Sequence, residues 1–290
     1  MNQENLLVVP TIKFVPFRKD NILRKFKTSF RITNPELKIS SASAFYPTMA
    51  GICQNIFDPH CFTERKSLDK TFNSKGFSDL AEGRIDMYIS LASKKDLEPK
   101  KDLEQLQQKV NRLQCVPIFQ DPLAVLVNRS NPVINLNLSQ LKSIYLGEIQ
   151  NWQEVGGKDR VIQNYQLSAE KNVSRNAFNL GITECEPANL PQSDIESMPE
   201  LVNIIGDNPD SIGNIFWSYY ARMYASVQTR CISIDGVSPT SKDYPLRFDI
   251  CMYYDAENPK PQLHQLVEYL ASEEGKKLIE AAYQSERQVL

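Results

Sequence analysis

At 290 residues, with 33 Lys and Arg against 35 Asp and Glu, the chain can fill two cored lobes and carries a formal charge of only −2. So even a balance argues against nucleic acid as the main partner. Six cysteines form no CxxC pair and meet only two histidines, His60 and His264, so neither a metal or redox site nor a cofactor is expected.

In chain order, residues 1–38 carry eight Lys or Arg against three acids, a run that reads as a solvated face. The start, MNQENLLVVPTIKF, lacks a basic segment followed by an apolar one, so no signal peptide is expected. That leaves either a cytosolic protein or a periplasmic or other extracytoplasmic domain whose leader or anchor is missing from the chain. No apolar run approaches the roughly 18 residues that span a bilayer. Leu6 to Pro10 and Ile12 to Val15 read as strand pieces separated by proline, and Leu37 to Ile39 as a short strand. A hydroxyl-rich loop, Ser40 to Ser43, then leads into a helix ending near Phe57, before Pro59. A second loop, 72–77, precedes a helix with Leu80 and Gly83, and Ile85 to Leu91 reads as a strand ending in Ala92-Ser93-Lys94. Residues 96–112 pattern as an exposed amphipathic helix. Cys115 and Cys251 sit in apolar runs and read as small core residues.

Leu123 to Val127 is too short for a core helix and reads as a buried strand, stopped by residues 128–132. Ser139 is the expected cap of a short helix presenting Leu141, Ile144 and Tyr145, with Gly147 as its stop. Residues 151–157 form a turn around Trp152, expected to be buried. Val161 to Tyr165 is a strand, and a helix carrying Phe178 follows. The polar, proline-rich stretch 183–200 reads as a long surface loop. Ser211 to Phe216 and Leu246 to Tyr254 read as strands. Phe216, Trp217, Tyr219, Tyr220 and Tyr224 fit either a lobe core or an aromatic ligand wall. Leu263 to Ile279 carries the apolar stripe of a terminal helical segment.

The stretch NPV…LSQLKSIYLGEIQNWQEVGGKDRVI resembles the central segment of the phosphate-binding proteins of ABC transporters, in the bilobed periplasmic-binding superfamily. The likeness rests on Asn131-Pro132, Leu138-Ser139, Gly147, Trp152 and Gly156-Gly157 together. It extends over roughly residues 37–283, including a turn at Asp235-Gly236-Val237. It implies an α/β fold of two mixed-sheet lobes joined by two crossing segments. Residues 1–120 and 245–290 would form one lobe and 121–244 the other, with the ligand at the carboxyl ends of strands.

By the same resemblance, the ligand residues are Ser43, Ala44 and Phe45 in the first loop, Ser74 and Gly76 in the second, and Ser93 and Lys94 after the next strand. Asn172, Ser174 and Arg175 match the third region. The chain departs from the family pattern at Ser41, where the family has glycine, at Leu167, where it has arginine, and at Val173, where it has glycine. Taken by their residue types alone, the serines serve equally well as helix caps. The function implied is capture of phosphate or a related small oxyanion, by a monomer, for an ABC permease. The departures leave a second reading open, a sensing or protein-interaction domain that keeps the scaffold and has lost phosphate. With no GxGxxG, P-loop, HExxH or GxSxG stretch, no enzyme is expected.

Overall fold

The computed structural model describes residues 6–33, 36–62, 68–71, 73–92, 112–168, 172–183 and 195–284. Among these, 10–120 and 249–284 form one compact unit, and 6–9 and 121–248 form a second. After a first passage at Val9/Pro10, the chain passes between units at two further places among the described residues, Gln120/Asp121 and Phe248/Asp249.

In the first unit, strands β2 (Ile39–Ala42), β3 (Leu68–Thr71) and β4 (Met87–Leu91) are joined by helices α1 (Tyr46–Ile56) and α2 (Asn73–Ala81). β2 lies between the other two and is parallel to both, Ile39 facing Leu68 on one side and Met87 on the other. Every residue of β2 and β4 is buried, as parallel strands covered on both faces require. β12 (Arg247–Asp255) returns the chain and pairs antiparallel to β4, from Ile250 with Leu91 to Tyr254 with Met87. The terminal segment breaks at Ser272 into α7 (Pro261–Ala271) and α8 (Glu273–Tyr283). The Ser272 hydroxyl caps α8 by accepting from the Gly275 N–H at 3.1 Å.

The second unit is built on the latter half of β5 (Leu113–Asn128), where Leu123 to Val127 are fully buried. Burying each such side chain contributes about 1.5–3 kcal/mol. β8 (Ser211–Phe216) pairs antiparallel to β5, β7 (Gln163–Asn164) pairs parallel to β8, and β10 (Thr229–Cys231) covers the other side of β5. Between β5 and β7 lies α3 (Leu138–Leu146). Its cap is Asn137, not Ser139: the Asn137 carboxamide oxygen accepts from Gln140 N–H at 2.8 Å, and Gln140 returns a bond to Asn137 N–H at 2.9 Å. Asn and Ser are near-equal caps, and the reciprocal bond from Gln140 decides between them. α4 (Val173–Phe178), α5 (Met198–Asp207) and α6 (Trp217–Arg222) complete the packing. Of the aromatic cluster, Phe216 and Tyr220 are fully buried and Tyr219 nearly so, and these three belong to the core, while Trp217 and Tyr224 are partly exposed.

Trp152 is 1 % exposed, and its indole N–H donates to the Asp210 carbonyl at 2.9 Å. The turn around it is closed by a second capping box, Asn151 with Glu154, and by Gly156 at φ 83°. That left-handed conformation suits glycine.

Several expectations are revised. Residues Thr11–Phe14 form a short 3-10 turn, not a strand. β1 (Leu6–Val8) pairs antiparallel with β9 (Tyr224–Ser226), so the start of the chain sits with the second unit, where residues 1–120 had been assigned to the other lobe. The loop expected through 183–200 gives way to α5 at Met198, capped by Ser197. Cys115 is exposed, while Cys251 is fully buried. The amphipathic helix expected at 96–112 falls almost wholly outside the described residues.

Candidate functional site

The first unit brings three strand ends together. β2, β3 and β4 are parallel, with Ala42 beside Thr71 and Ser41 beside Ile89. The chain therefore leaves all three strands at the same edge of the sheet, the place where ligand sites of open α/β sheets form. From β2 it enters a 3-10 turn, Ser43–Phe45, and then α1. Ser43 caps neither: the caps are Ala42 and Phe45, and no side chain fills either position. The hydroxyl of Ser43 is half-exposed, while Ala44 and Phe45 are buried, the Phe45 ring edge-on to Phe119 at 6.1 Å. So the capping role open to Ser43 from sequence is not the one it plays.

Ser40 and Ser41 lie within β2, not in a loop. Both are fully buried, and neither hydroxyl has a hydrogen-bond partner. An unpartnered buried hydroxyl costs roughly 1–3 kcal/mol, so these two atoms, on opposite faces of β2, mark unused hydrogen-bonding capacity in the strand that leads into the Ser43 turn. Small hydroxyl residues read as loop, which hid their place in the strand.

Ser74 stands in the first turn of α2, just past the end of β3. Gly76 lies inside that helix, and a Cβ there would overlap the Tyr88 ring. Close packing on β4 accounts for this glycine without a ligand. After β4, Ala92 N–H donates to Asp249 O at 2.9 Å; Ser93 and Lys94 lie outside the described residues.

In the second unit, Asn172 precedes α4 in an extended conformation. Its side chain donates to the Glu196 carbonyl at 3.1 Å and does not cap the helix. Ser174 is fully buried and its hydroxyl is unpartnered; Arg175 is half-exposed. Val173 is 4 % exposed and Leu167 2 %, the latter bridging to Ile195. Both departures from the family pattern are thus packed side chains, which explains why neither glycine nor arginine stands there. Sequence reasoning missed Asn164, 8 % exposed at the end of β7 with both amide atoms unpartnered. It lies inside the stretch Val161 to Tyr165 that reads as a strand, where a single Asn carries no ligand signal. Asn214 donates to the Tyr145 hydroxyl at 3.2 Å, and burial pushes that phenol well above its usual range, so it stays neutral.

A shallow pocket of about 50 Å³ opens beside Trp152, with Lys158, Arg160 and Asp210 among its lining. Arg160 reaches Asp210 at 3.7 Å, and none of the expected ligand residues lines it. Among the described residues, no three His, Cys, Asp or Glu side chains group to hold a metal, and no helix is long and apolar enough to cross a membrane.

A family model described as a PBP superfamily domain matches residues 33–274. The phosphate-binding protein PstS of Bacillus subtilis (strain 168) is 30% identical over 129 residues; the match covers 43% of this chain and 41% of that protein. Among solved structures, an ABC-type phosphate transport receptor from Vibrio cholerae superposes with a TM-score of 0.62 at 22% identity, covering 86% of this chain and 99% of the receptor. A putative phosphate ABC transporter substrate-binding protein from Clostridium perfringens, solved with bound phosphate, gives 0.62 at 23% identity, covering 85% and 97%.

Proposed function

The chain belongs to the PBP superfamily, and on that premise we propose that it is a solute-binding protein that captures phosphate or a related small oxyanion for an ABC transporter. The observation that carries this reading is the edge where β2, β3 and β4 all end. There the turn at Ser43 has no side-chain cap, and the strand that leads into it carries two unpartnered serine hydroxyls. Uncapped turns and helix starts offer backbone N–H groups to an anion, and hydroxyls add further donors. The relatives named for phosphate support the choice of ligand.

The donors assigned are Ser43, Ala44, Phe45, Ser74 and Ser93 from the first unit, and Asn172 and Ser174 from the second. Lys94 and Arg175 balance the charge. Lysine gives a point charge where the family's arginine grips two oxygens. The protein acts as a monomer, outside the cytoplasm, and delivers to a permease.

Calorimetric titration with phosphate, sulfate and small organic anions tests this. Phosphate is expected to bind, and Ser43→Ala or Ser174→Ala to weaken it about ten- to a hundredfold, since a hydrogen bond to a charged group contributes roughly 1.5–3 kcal/mol. No heat with any oxyanion at millimolar concentration, together with no effect of Ser174→Ala, would refute it. That outcome leaves the sensing or interaction reading in its place.

A further inference from the structure

In the second unit, the pocket beside Trp152 sits at the starting ends of β7 and β8. β5 runs antiparallel to β8, Val127 facing Ile212, and β7 runs parallel to it, Gln163 facing Ser211. The loop that leaves β5 after Asn128 therefore meets the residues that enter β8, and together with the Trp152 turn these segments line the cavity of about 50 Å³. Ligand sites of α/β sheets form at the carboxyl ends of strands, so this pocket is no part of the oxyanion site proposed above.

The walls are fixed by bonds of their own. Asn128 Oδ1 accepts from the Ser130 N–H at 2.9 Å, and Asn131 Oδ1 from the Val133 N–H at 3.0 Å. The Arg230 guanidinium braces this loop, donating to the Asn131 carbonyl and, at 3.3 Å, to that of Val133. On the facing wall, the Trp152 indole holds the Asp210 carbonyl at 2.9 Å.

Donors outnumber acceptors in the lining. Asn131 is 4 % exposed, yet its Nδ2 donates to none of the described residues. Lys158 makes no ion pair with a described residue, and Arg160 stands 3.7 Å from the Asp210 carboxylate, beyond hydrogen-bond length. The other acids of the turn are engaged elsewhere. Asp159 accepts from Asn151 Nδ2 at 2.8 Å, and Glu154 from the Gln150 and Asn151 N–H groups at 3.0 and 2.9 Å. A nearly buried amide and two cations therefore share one cavity with a single carboxylate, and buried donors are ordinarily paired.

We propose that this pocket binds a small organic monocarboxylate. The Arg160 fork and the Asn131 amide take its two oxygens, and Lys158 balances its charge; a guanidinium matches a planar carboxylate through parallel bonds. Pro132, Pro209 and the Trp152 ring give its short apolar end a surface. The cavity is far below the roughly 300–1,000 Å³ that encloses a drug-sized ligand, which limits the occupant to about the size of acetate or propionate. Asp210 in the same lining repels a second negative charge, so sulfate and the phosphate dianion are disfavoured.

The test follows the NMR signals of the nitrogen-labelled full chain during titration with sodium propionate, against sodium chloride at matched ionic strength. The Asn131 side-chain amide and the Trp152 indole N–H should shift saturably in the low-millimolar range, as suits a ligand of few heavy atoms. Lys158→Gln with Arg160→Gln, both at exposed positions, should leave the melting temperature unchanged and weaken propionate about tenfold or more. Ser43→Ala should leave the propionate response intact, so this site and the phosphate reading stand or fall separately. Shifts that grow linearly and match those from chloride, saturation unchanged in the double variant, or sulfate binding there as tightly as propionate would overturn the proposal.

Discussion

Replacing Trp152 by alanine tests whether the turn at 151–157 is the structural anchor of the second unit. The side chain is 1 % exposed, so its removal leaves a cavity beside Val133 and Gly157, at a cost of about 3–5 kcal/mol for a buried Trp→Ala change. The indole N–H bond to Asp210 is lost as well, which adds about 1 kcal/mol if the carbonyl finds no water. Trp152→Phe separates the two: it keeps most of the ring and loses the hydrogen bond, so about 1–2 kcal/mol is expected. For a body of this size each kcal/mol moves the midpoint by roughly 2–4 °C, so a total of about 4–6 kcal/mol should make Trp152→Ala melt roughly 8–24 °C lower. The assay is urea and thermal unfolding followed by circular dichroism, with fluorescence reporting from Trp217, the one other tryptophan. An alanine variant within about 1 kcal/mol of the parent would refute the reasoning, because only an exposed or locally collapsible site could give it.

Gly76→Ala should destabilise by about 1–3 kcal/mol, because the new methyl overlaps the Tyr88 ring. Urea midpoints measure it, and Gly76→Ala melting like the parent with weakened phosphate binding would return Gly76 to the ligand set. The Glu274 carboxylate accepts from the backbone N–H and the hydroxyl of Ser29, both at 2.8 Å, and these bonds hold it below the usual carboxylate range. Its contribution is therefore complete above that range and fades as pH falls through it. In Glu274→Gln, the protection of the Ser29 amide relative to its intrinsic exchange rate should lose the acid-side fall seen in the parent; an unchanged protection profile would show that the bond is not formed in solution.

Scaffold was more legible than site. The residues that set turns and helix ends, such as Gly147, Gly156 and Trp152, act over a few positions, and local pattern finds them. Helix α1 likewise begins and ends where its prolines and aromatics predict. Ser40 and Ser41 were misplaced because small hydroxyl residues favour loops, while here the burial of a central parallel strand overrides that preference. Cys115 was read as core from its apolar run, yet after Leu113 the first half of β5 holds only exposed and partly exposed residues. Ser174 was found only through the family motif, and Asn164 had no signal at all.

The two crossings at Gln120/Asp121 and Phe248/Asp249 also bear on how the chain is made. All of the second unit's strands from β5 onward precede residue 248 and emerge from the ribosome ahead of α8, so that unit can begin to condense first. The first unit cannot: β4 waits for β12, and α1 waits for α8, both encoded in the last 45 residues or so of the chain. During that interval the β4 backbone presents an unpaired edge of apolar side chains, the kind of surface that chaperones shield and that aggregates seed upon. Substitutions that loosen β12 or α8 should therefore lower yield in the cell by more than their effect on the finished protein's melting temperature, with the lost material recovered in the insoluble fraction.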